Sequence, residues 1–185
     1  IVRQVSDIGR MVDEFSNFAR MPKPRMEPTD LREVLKEAMF TREMGDHGIT
    51  FVADLPDEPL LGLYDTRLLG QAFGNLVKNA VEALEGANVE NGRIEVGARP
   101  GAHWHEIEIV DNGMGFPKEN RDRLLEPYMT TREKGTGLGL AVVRKIIEEH
   151  GGSILLEDAP GEETGAMVRI ALPAGDRVVE REGNE

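Results

Sequence analysis

The chain has 185 residues, 39% hydrophobic and 30% charged, with a net charge of −12 and no cysteine. That length supports one domain with a real core and a small extra element. The acidic balance argues against nucleic acid or an anionic membrane as the main partner, and the lack of cysteine excludes disulfides, thiolate metal sites and cysteine nucleophiles.

No apolar run reaches the about 18 residues that a membrane span needs, and no signal peptide is visible. The first residue is Ile1 rather than Met, which reads as a fragment. Any membrane anchor is therefore expected only in regions N-terminal to this chain.

Residues 1–20 carry Ile1, Val5, Ile8, Val12, Phe15 and Ala19 at alternating steps of four and three. That spacing makes one narrow apolar seam, as in a coiled coil or helical bundle. Pro22 and Pro24 end the helix. A second helix is expected from Asp30, capped by Thr29 or Asp30 with Glu33 in capping-box position, and with Leu31, Val34, Leu35, Ala38 and Met39 on its apolar face. Thr50–Leu55 reads as a strand. Asp65 can cap a long helix to about Leu84 that buries Leu68, Leu69, Ala72, Phe73, Leu76, Val77, Ala80 and Leu84.

Strands follow at Arg93–Ala98 and Trp104–Val110, then a helix at Leu138–His150 closed by Gly151 and Gly152, then strands at Ile154–Glu157 and Ala166–Leu172. Residues 174–185 are charged with few apolar groups, as in a disordered acidic tail. Unequal blocks of strands and helices point to an α+β fold, a two-layer α/β sandwich with one sheet covered by helices on one face.

Three segments carry candidate chemistry. Asn75 and Asn79 are four apart and so share a helical face. Asparagine is a poor helix former, and its amide oxygen suits an octahedral Mg²⁺ site completed by water and phosphates. The bland alternative is a pair of exposed or capping amides. Asp111 follows a strand and precedes Gly113 and Gly115. A buried carboxylate there can accept from an exocyclic amine such as that of adenine, although Asp-Asn-Gly is also ordinary turn chemistry.

Gly135, Gly137 and Gly139 lead into a helix, where free amides and the positive helix end suit a phosphate. The spacing is neither the dinucleotide GxGxxG nor a Walker A loop. Just upstream, Thr130, Thr131, Arg132 and Lys134 place hydroxyls and cations as in a nucleotide lid, against the alternative of a solvated charged loop. Together the three segments describe one nucleotide pocket.

The order Asn-x-x-x-Asn-Ala at 75–80, Asp-x-Gly-x-Gly-Phe at 111–116, Glu-Pro-Tyr-Met-Thr-Thr at 126–131 and Gly-Thr-Gly-Leu-Gly-Leu at 135–140 resembles the N, G1, F and G2 boxes of bacterial sensor histidine kinases. The likeness spans residues 1–173 and is nearest the nitrogen-regulation branch, the NtrY and NtrB type. It implies a Bergerat ATP-binding fold. It divides the chain into a partial second helix of a dimerisation and histidine-phosphotransfer hairpin at 1–24, a catalytic ATP-binding domain at 25–173 and the tail at 174–185.

The resemblance implies ATP and Mg²⁺ as cofactors, with Asn79 on the metal and Asn75 in support. It assigns adenine to Asp111, with Gly113 and Gly115 shaping the base pocket. Phosphates fall to the Gly137, Leu138 and Gly139 amides beside Gly135, and the lid to Thr130, Thr131, Arg132 and Lys134. Asn75, Asn79, Arg132 and Lys134 would serve the phosphoryl transfer. The implied partners are a response-regulator receiver domain and a second copy of the parent protein, joined through the helical bundle. The implied location is the cytoplasmic side of an inner-membrane sensor.

Several positions depart from the family pattern. His47, His103, His105 and His150 read as surface or structural residues, so the phosphoacceptor histidine lies outside this chain and the chain is not competent alone. Glu82 stands where a cation usually follows the metal asparagine, and Met167 is aligned with the Thr or Ser usual near adenine.

Rival readings stay on the same fold or its surface. For an Hsp90- or MutL-type ATPase, Asn75 stands where those enzymes carry a helix carboxylate that activates water. The heptad helix weighs against an anti-sigma-type serine kinase. A nucleotide-binding module without turnover is the non-enzymatic alternative.

Overall fold

The computed structural model describes Val12, Ser16 and residues 18–43, 48–130, 135–161 and 164–175. Of the expected helical seam, Ile1, Val5, Ile8 and Phe15 lie outside the described residues. Val12 and Ala19 are exposed, while Phe18, one step off the seam, packs against the core.

Strand β1 (Glu27–Asp30) runs into helix α1 (Leu31–Glu43). Asp30 ends the strand and caps the helix, its Oδ1 accepting the Arg32 amide at 3.1 Å and the Leu60 amide at 3.0 Å. Leu31, Val34, Leu35, Ala38 and Met39 are all buried, as the apolar spacing requires. Glu33 pairs with Lys36 at 2.8 Å. β2 is Thr50–Asp54 and β3 is Leu61–Tyr64.

Helix α2 covers Thr66–Ala87, three residues past the expected end. Asp65 is its N-cap, with Oδ1 accepting the Leu68 amide at 3.0 Å. Every apolar residue expected on its inner face is buried, and Val81 joins them. Phe73 is fully buried there, so truncating it to alanine would cost about 3–5 kcal/mol.

The remaining elements are β4 (Arg93–Arg99), β5 (Trp104–Asp111), a 3₁₀ turn at Arg121–Leu125, α3 (Gly139–Glu149), β6 (Ser153–Asp158) and β7 (Ala166–Pro173). The end of α3 is a Schellman motif, with Gly151 N–H on Glu148 O and Gly152 N–H on Ile147 O, both at 2.9 Å.

Five strands form the main sheet in the order β2-β4-β5-β7-β6, and only β2-β4 is parallel. β1 and β3 make a separate antiparallel pair. Along β5, His105, Ile107, Ile109 and Asp111 point inward and Trp104, Glu106 and Glu108 lie on the other face. The three helices pack on the inward face, giving the expected two layers, and the outer face carries ion pairs such as Arg169 to Glu108 at 3.0 Å.

Most residues of the expected tail fall outside the described ones. Ala174 and Gly175, however, return to the domain, donating to His103 O at 2.8 Å and Leu61 O at 2.9 Å.

Candidate functional site

A cleft of about 670 Å³ opens between α2, α3 and the inward ends of β5 and β7. The buried stripe of α2 faces the sheet, which turns the neighbouring stripe of Asn75, Asn79 and Glu82 toward the cleft, where all three are half-buried. A Cβ built on Gly139 would lie 4.0 Å from both amide atoms of Asn79. The Asn79 amide therefore stands directly against the first residue of α3.

At the other end of the cleft is Asp111, the last residue of β5 and buried. Its Oδ1 accepts the Gly113 amide at 2.9 Å, which fixes the carboxylate in place. A carboxylate has about four lone-pair sites, so this bond leaves acceptor capacity for a ligand amine. A Cβ on Gly113 would come within 2.8 Å of that same oxygen and 3.3 Å of the Ala83 Cβ. Gly113 thus lies behind Asp111 rather than on the cleft wall, and it lets α2 and the end of β5 close together.

β7 pairs Ala166 with Asp111 and Met167 with Val110. Alternation puts Ala166 and Val168 on the cleft face and turns Met167 away from it. This corrects the sequence alignment by one residue. The side chain of the last strand beside Asp111 is the Ala166 methyl, not Met167. Gly165, absent from the sequence reading, has φ +135°, and a Cβ there would meet Asp111 O at 2.4 Å.

The glycine loop closes the end of the cleft beside α3. Gly135, Thr136, Gly137, Leu138 and Gly139 all line the cleft. Gly137 has φ +69°, and a Cβ would strike the Tyr128 carbonyl carbon at 2.6 Å. Its carbonyl accepts the Tyr128 amide at 3.0 Å, holding the loop to the segment that leads into the expected lid. Tyr128 itself sits at φ +67°, an uncommon conformation for a bulky residue. Leu138, the N-cap of α3, offers no side-chain cap, so the first amides of that helix present donors and the positive dipole end to the cleft.

Asn75, Asn79, Asp111, Gly115, Thr130, Gly135, Gly137, Leu138 and Gly139 are thus gathered on one cleft, with Gly113 just behind it. Thr131, Arg132 and Lys134 lie outside the described residues. The chain before β1 reaches the cleft as well, a placement that no local sequence pattern signals. Ser16, Phe18, Arg20, Met21 and Pro22 line the same cleft. Lys78 lines it too and pairs with Glu82 at 3.7 Å across one helical turn.

His105 and His150 are both buried and structural, in agreement with their sequence reading. His105 Nε2 lies 3.0 Å from Leu61 O, while His150 Nδ1 lies 2.7 Å from Ile146 O.

The donor set fits a nucleotide. A buried acceptor sits at one end and the start of a helix at the other, where the Leu138 amide makes only a long 3.4 Å bond to Thr136 Oγ1, about the arrangement a base and a polyphosphate need. Among the described residues there is no cluster of three His, Asp or Glu side chains that would cage a metal. Mg²⁺ fits only as an ion carried mainly by phosphates and water, for which an amide such as that of Asn79 is a sufficient protein ligand.

The model of the histidine kinase-, DNA gyrase B- and HSP90-like ATPase family matches residues 64–176. The chain is 51% identical over 177 residues to the nitrogen regulation protein NtrY of Azorhizobium caulinodans, covering 94% of this chain and 23% of that one. It is 33% identical to the sensory histidine kinase/phosphatase NtrB of Rhodobacter capsulatus over 96% of its own length and 52% of that protein's. Among solved structures, the catalytic domain of histidine kinase ThkA matches at a TM-score of 0.70 and 30% identity, over 80% of this chain and 95% of that one. The chain spans about a quarter of the length of the NtrY-type relatives it matches.

Proposed function

Because the chain belongs to the histidine kinase-, DNA gyrase B- and HSP90-like ATPase family, we propose that it is the ATP-binding catalytic unit of a sensor histidine kinase of the NtrY type. In this reading it passes the γ-phosphoryl group of ATP to a histidine outside these 185 residues. The observation that carries the proposal is the meeting of Asp111, Asn79 and the Gly137–Gly139 loop on one cleft.

In this proposal Asp111 accepts the adenine amine, with its carboxylate held by Gly113. The Leu138 and Gly139 amides bind phosphate at the start of α3. Asn79 holds Mg²⁺ with Asn75 in support, and the ion neutralises charge on the phosphate oxygens. Phosphoryl transfer asks little covalent chemistry of the protein, so these residues act by positioning and charge stabilisation. Arg132 and Lys134 add cations from the lid.

Asn75 favours a kinase over a water-activating ATPase. An amide cannot take a proton at neutral pH, so that turn of α2 provides no general base. Residues 1–24 are proposed as the end of a phosphotransfer helix, whose exposed Val12 and Ala19 await a second helix or a second copy. A response-regulator receiver is the proposed final acceptor. ThkA crystallised with the response regulator TrrA, whose kinase chain matches at a TM-score of 0.76 and 25% identity over 94% of this chain, supports that reading. No described helix is long and apolar enough to cross a membrane, and attachment of the parent protein to one is likewise a proposal.

The test supplies the acceptor separately. The chain, Mg²⁺ and γ-labelled ATP are mixed with a phosphotransfer hairpin from an NtrY-type kinase. The expected product is an acid-labile, base-stable phosphohistidine on the hairpin. Label released only as inorganic phosphate would favour an ATPase and contradict the proposal.

A further inference from the structure

The segment that leads from the first helix into the domain forms one wall of the nucleotide cleft. Ser16, Phe18, Arg20, Met21 and Pro22 line the same space as Asn75, Asn79 and the glycine loop. Phe18 and Met21 are half-buried against the domain core. The last turn of that helix closes here, with the Arg20 amide on Ser16 O at 3.0 Å. At its carboxyl end the helix meets one cation. Lys145 Nζ donates to Phe18 O at 3.0 Å and sits 5.0 Å from the centre of the Phe18 ring.

Both contacts favour a positive charge, since the last carbonyls of a helix carry its negative dipole end and an aromatic face attracts a cation. Beyond it, Arg25 N–H donates to Asp65 Oδ2 at 2.9 Å, so the segment is tied down at both ends.

Lys145 belongs to α3, and α3 begins at the loop that carries the phosphate-facing amides. The same rigid helix therefore holds a nucleotide at its first turn and the junction segment one and a half turns later. From this we infer that Lys145 is a positioning residue that latches the junction segment over the cleft. The latched wall, with Arg20 as its cation, strengthens nucleotide binding. The inference rests on the nucleotide-binding reading above and adds to it a link between the nucleotide and the helix that precedes the domain. Linkage makes that link reciprocal: if the latched wall tightens nucleotide binding, bound nucleotide must hold the wall closed.

The experiment uses the whole chain as parent, Lys145→Met and Lys145→Arg. Two readouts are taken: amide hydrogen exchange of residues 16–25, and calorimetric affinity for the non-hydrolysable analogue AMPPNP with Mg²⁺. Lys145→Met is expected to raise exchange of residues 16–25 and to weaken binding by about 3–10-fold, as loss of one charge-assisted contact would. Lys145→Arg keeps the cation and is expected to restore most of both. In the parent, AMPPNP is expected to slow exchange of residues 16–25, and in Lys145→Met it should slow it less.

Unchanged exchange of residues 16–25 in Lys145→Met would overturn the latch. Raised exchange with unchanged affinity would overturn its link to nucleotide. A parent that shows the Lys145-dependent protection but binds no AMPPNP would instead overturn the nucleotide-binding reading and leave the latch as a purely structural contact. Arg20→Ala, which leaves the latch in place, separates the cation's own contribution. It should weaken AMPPNP without altering exchange, and unchanged affinity would remove Arg20 from the site.

Discussion

His150 Nε2 accepts the backbone N–H of Asp65 at 2.9 Å, so the residue that ends α3 also holds the residue that starts α2. The other ring nitrogen, Nδ1, lies 2.7 Å from Ile146 O and donates to it, which fixes the neutral tautomer. The two helices that flank the cleft are thereby joined at the end away from the nucleotide loop.

This joint sets a pH dependence. Burial pushes His150 below its ordinary value, against smaller opposing effects of the Ile146 carbonyl, Asp65 and Glu149, with the Tyr64 ring 6.3 Å away. A base whose folded pKa is lowered contributes its full stability above the unfolded value of about 6.5 and loses it as pH falls through that value. Thermal unfolding between pH 7.5 and 5 should show stability falling by no more than about 1.4 kcal/mol per pH unit from this group. His150→Gln should flatten that slope. A slope identical in parent and variant would remove His150 as its source.

A second loss is expected at lower pH. Asp30 is lowered chiefly by its hydrogen bond to the Arg32 side chain. Asp65 is raised by burial but lowered on balance by the Arg25 and Leu68 amides. Depressed carboxylates contribute stability above about pH 4 that is lost as pH falls through their folded values. Asp30→Asn should therefore be less stable than the parent at pH 7 and converge on it below pH 3. Parallel curves across that range would contradict the assignment.

Gly165 and Gly161 form a matched pair. Both have positive φ, +135° and +75°, but nothing lies within 4 Å of a Cβ at Gly161, whereas at Gly165 it would meet Asp111 O at 2.4 Å. Gly161→Ala should cost about 1 kcal/mol of stability from its backbone alone. Gly165→Ala should cost about 2–4 kcal/mol and also weaken ATP, because it displaces the backbone of Asp111. Equal losses in urea denaturation would show that the close approach has little consequence.

Glu82 lines a cleft proposed to hold a polyphosphate and pairs with Lys78 at 3.7 Å. Glu82→Gln should tighten ATP by a few-fold, with the gain shrinking as salt rises. Asn79→Ala should instead weaken Mg-ATP by about 1–3 kcal/mol and leave metal-free nucleotide nearly unaffected. Calorimetry with and without Mg²⁺ checks both, and an unaltered Mg²⁺ dependence in Asn79→Ala would remove that residue from the metal.

Much of this was legible in the sequence, for identifiable reasons. The apolar faces of α1 and α2 follow the helical period, and Asp65 announces its cap by residue type and place. The alternation of β5 separates His105, Ile107 and Ile109 from Trp104, Glu106 and Glu108 without ambiguity. β1 was not legible, because Glu-Pro-Thr-Asp has no alternating apolar pattern and is a strand only by pairing with β3. Met167 was misplaced for a related reason. Facing in a strand reverses with each residue, and only the pairing of Ala166 with Asp111 sets which side chain looks into the cleft. In the junction segment, Pro22 and Pro24 signal only that a helix ends. The segment also meets Lys145, more than a hundred positions away, and no local pattern signals that contact.

The most direct test of the account is calorimetric titration of the chain with Mg-ATP, beside Asp111→Asn. The amide keeps the shape of the carboxylate but replaces one strong acceptor with a donor. Micromolar to sub-millimolar binding is expected in the parent and none in a folded Asp111→Asn. Equal binding by the two proteins, or no binding by a folded parent, would contradict it.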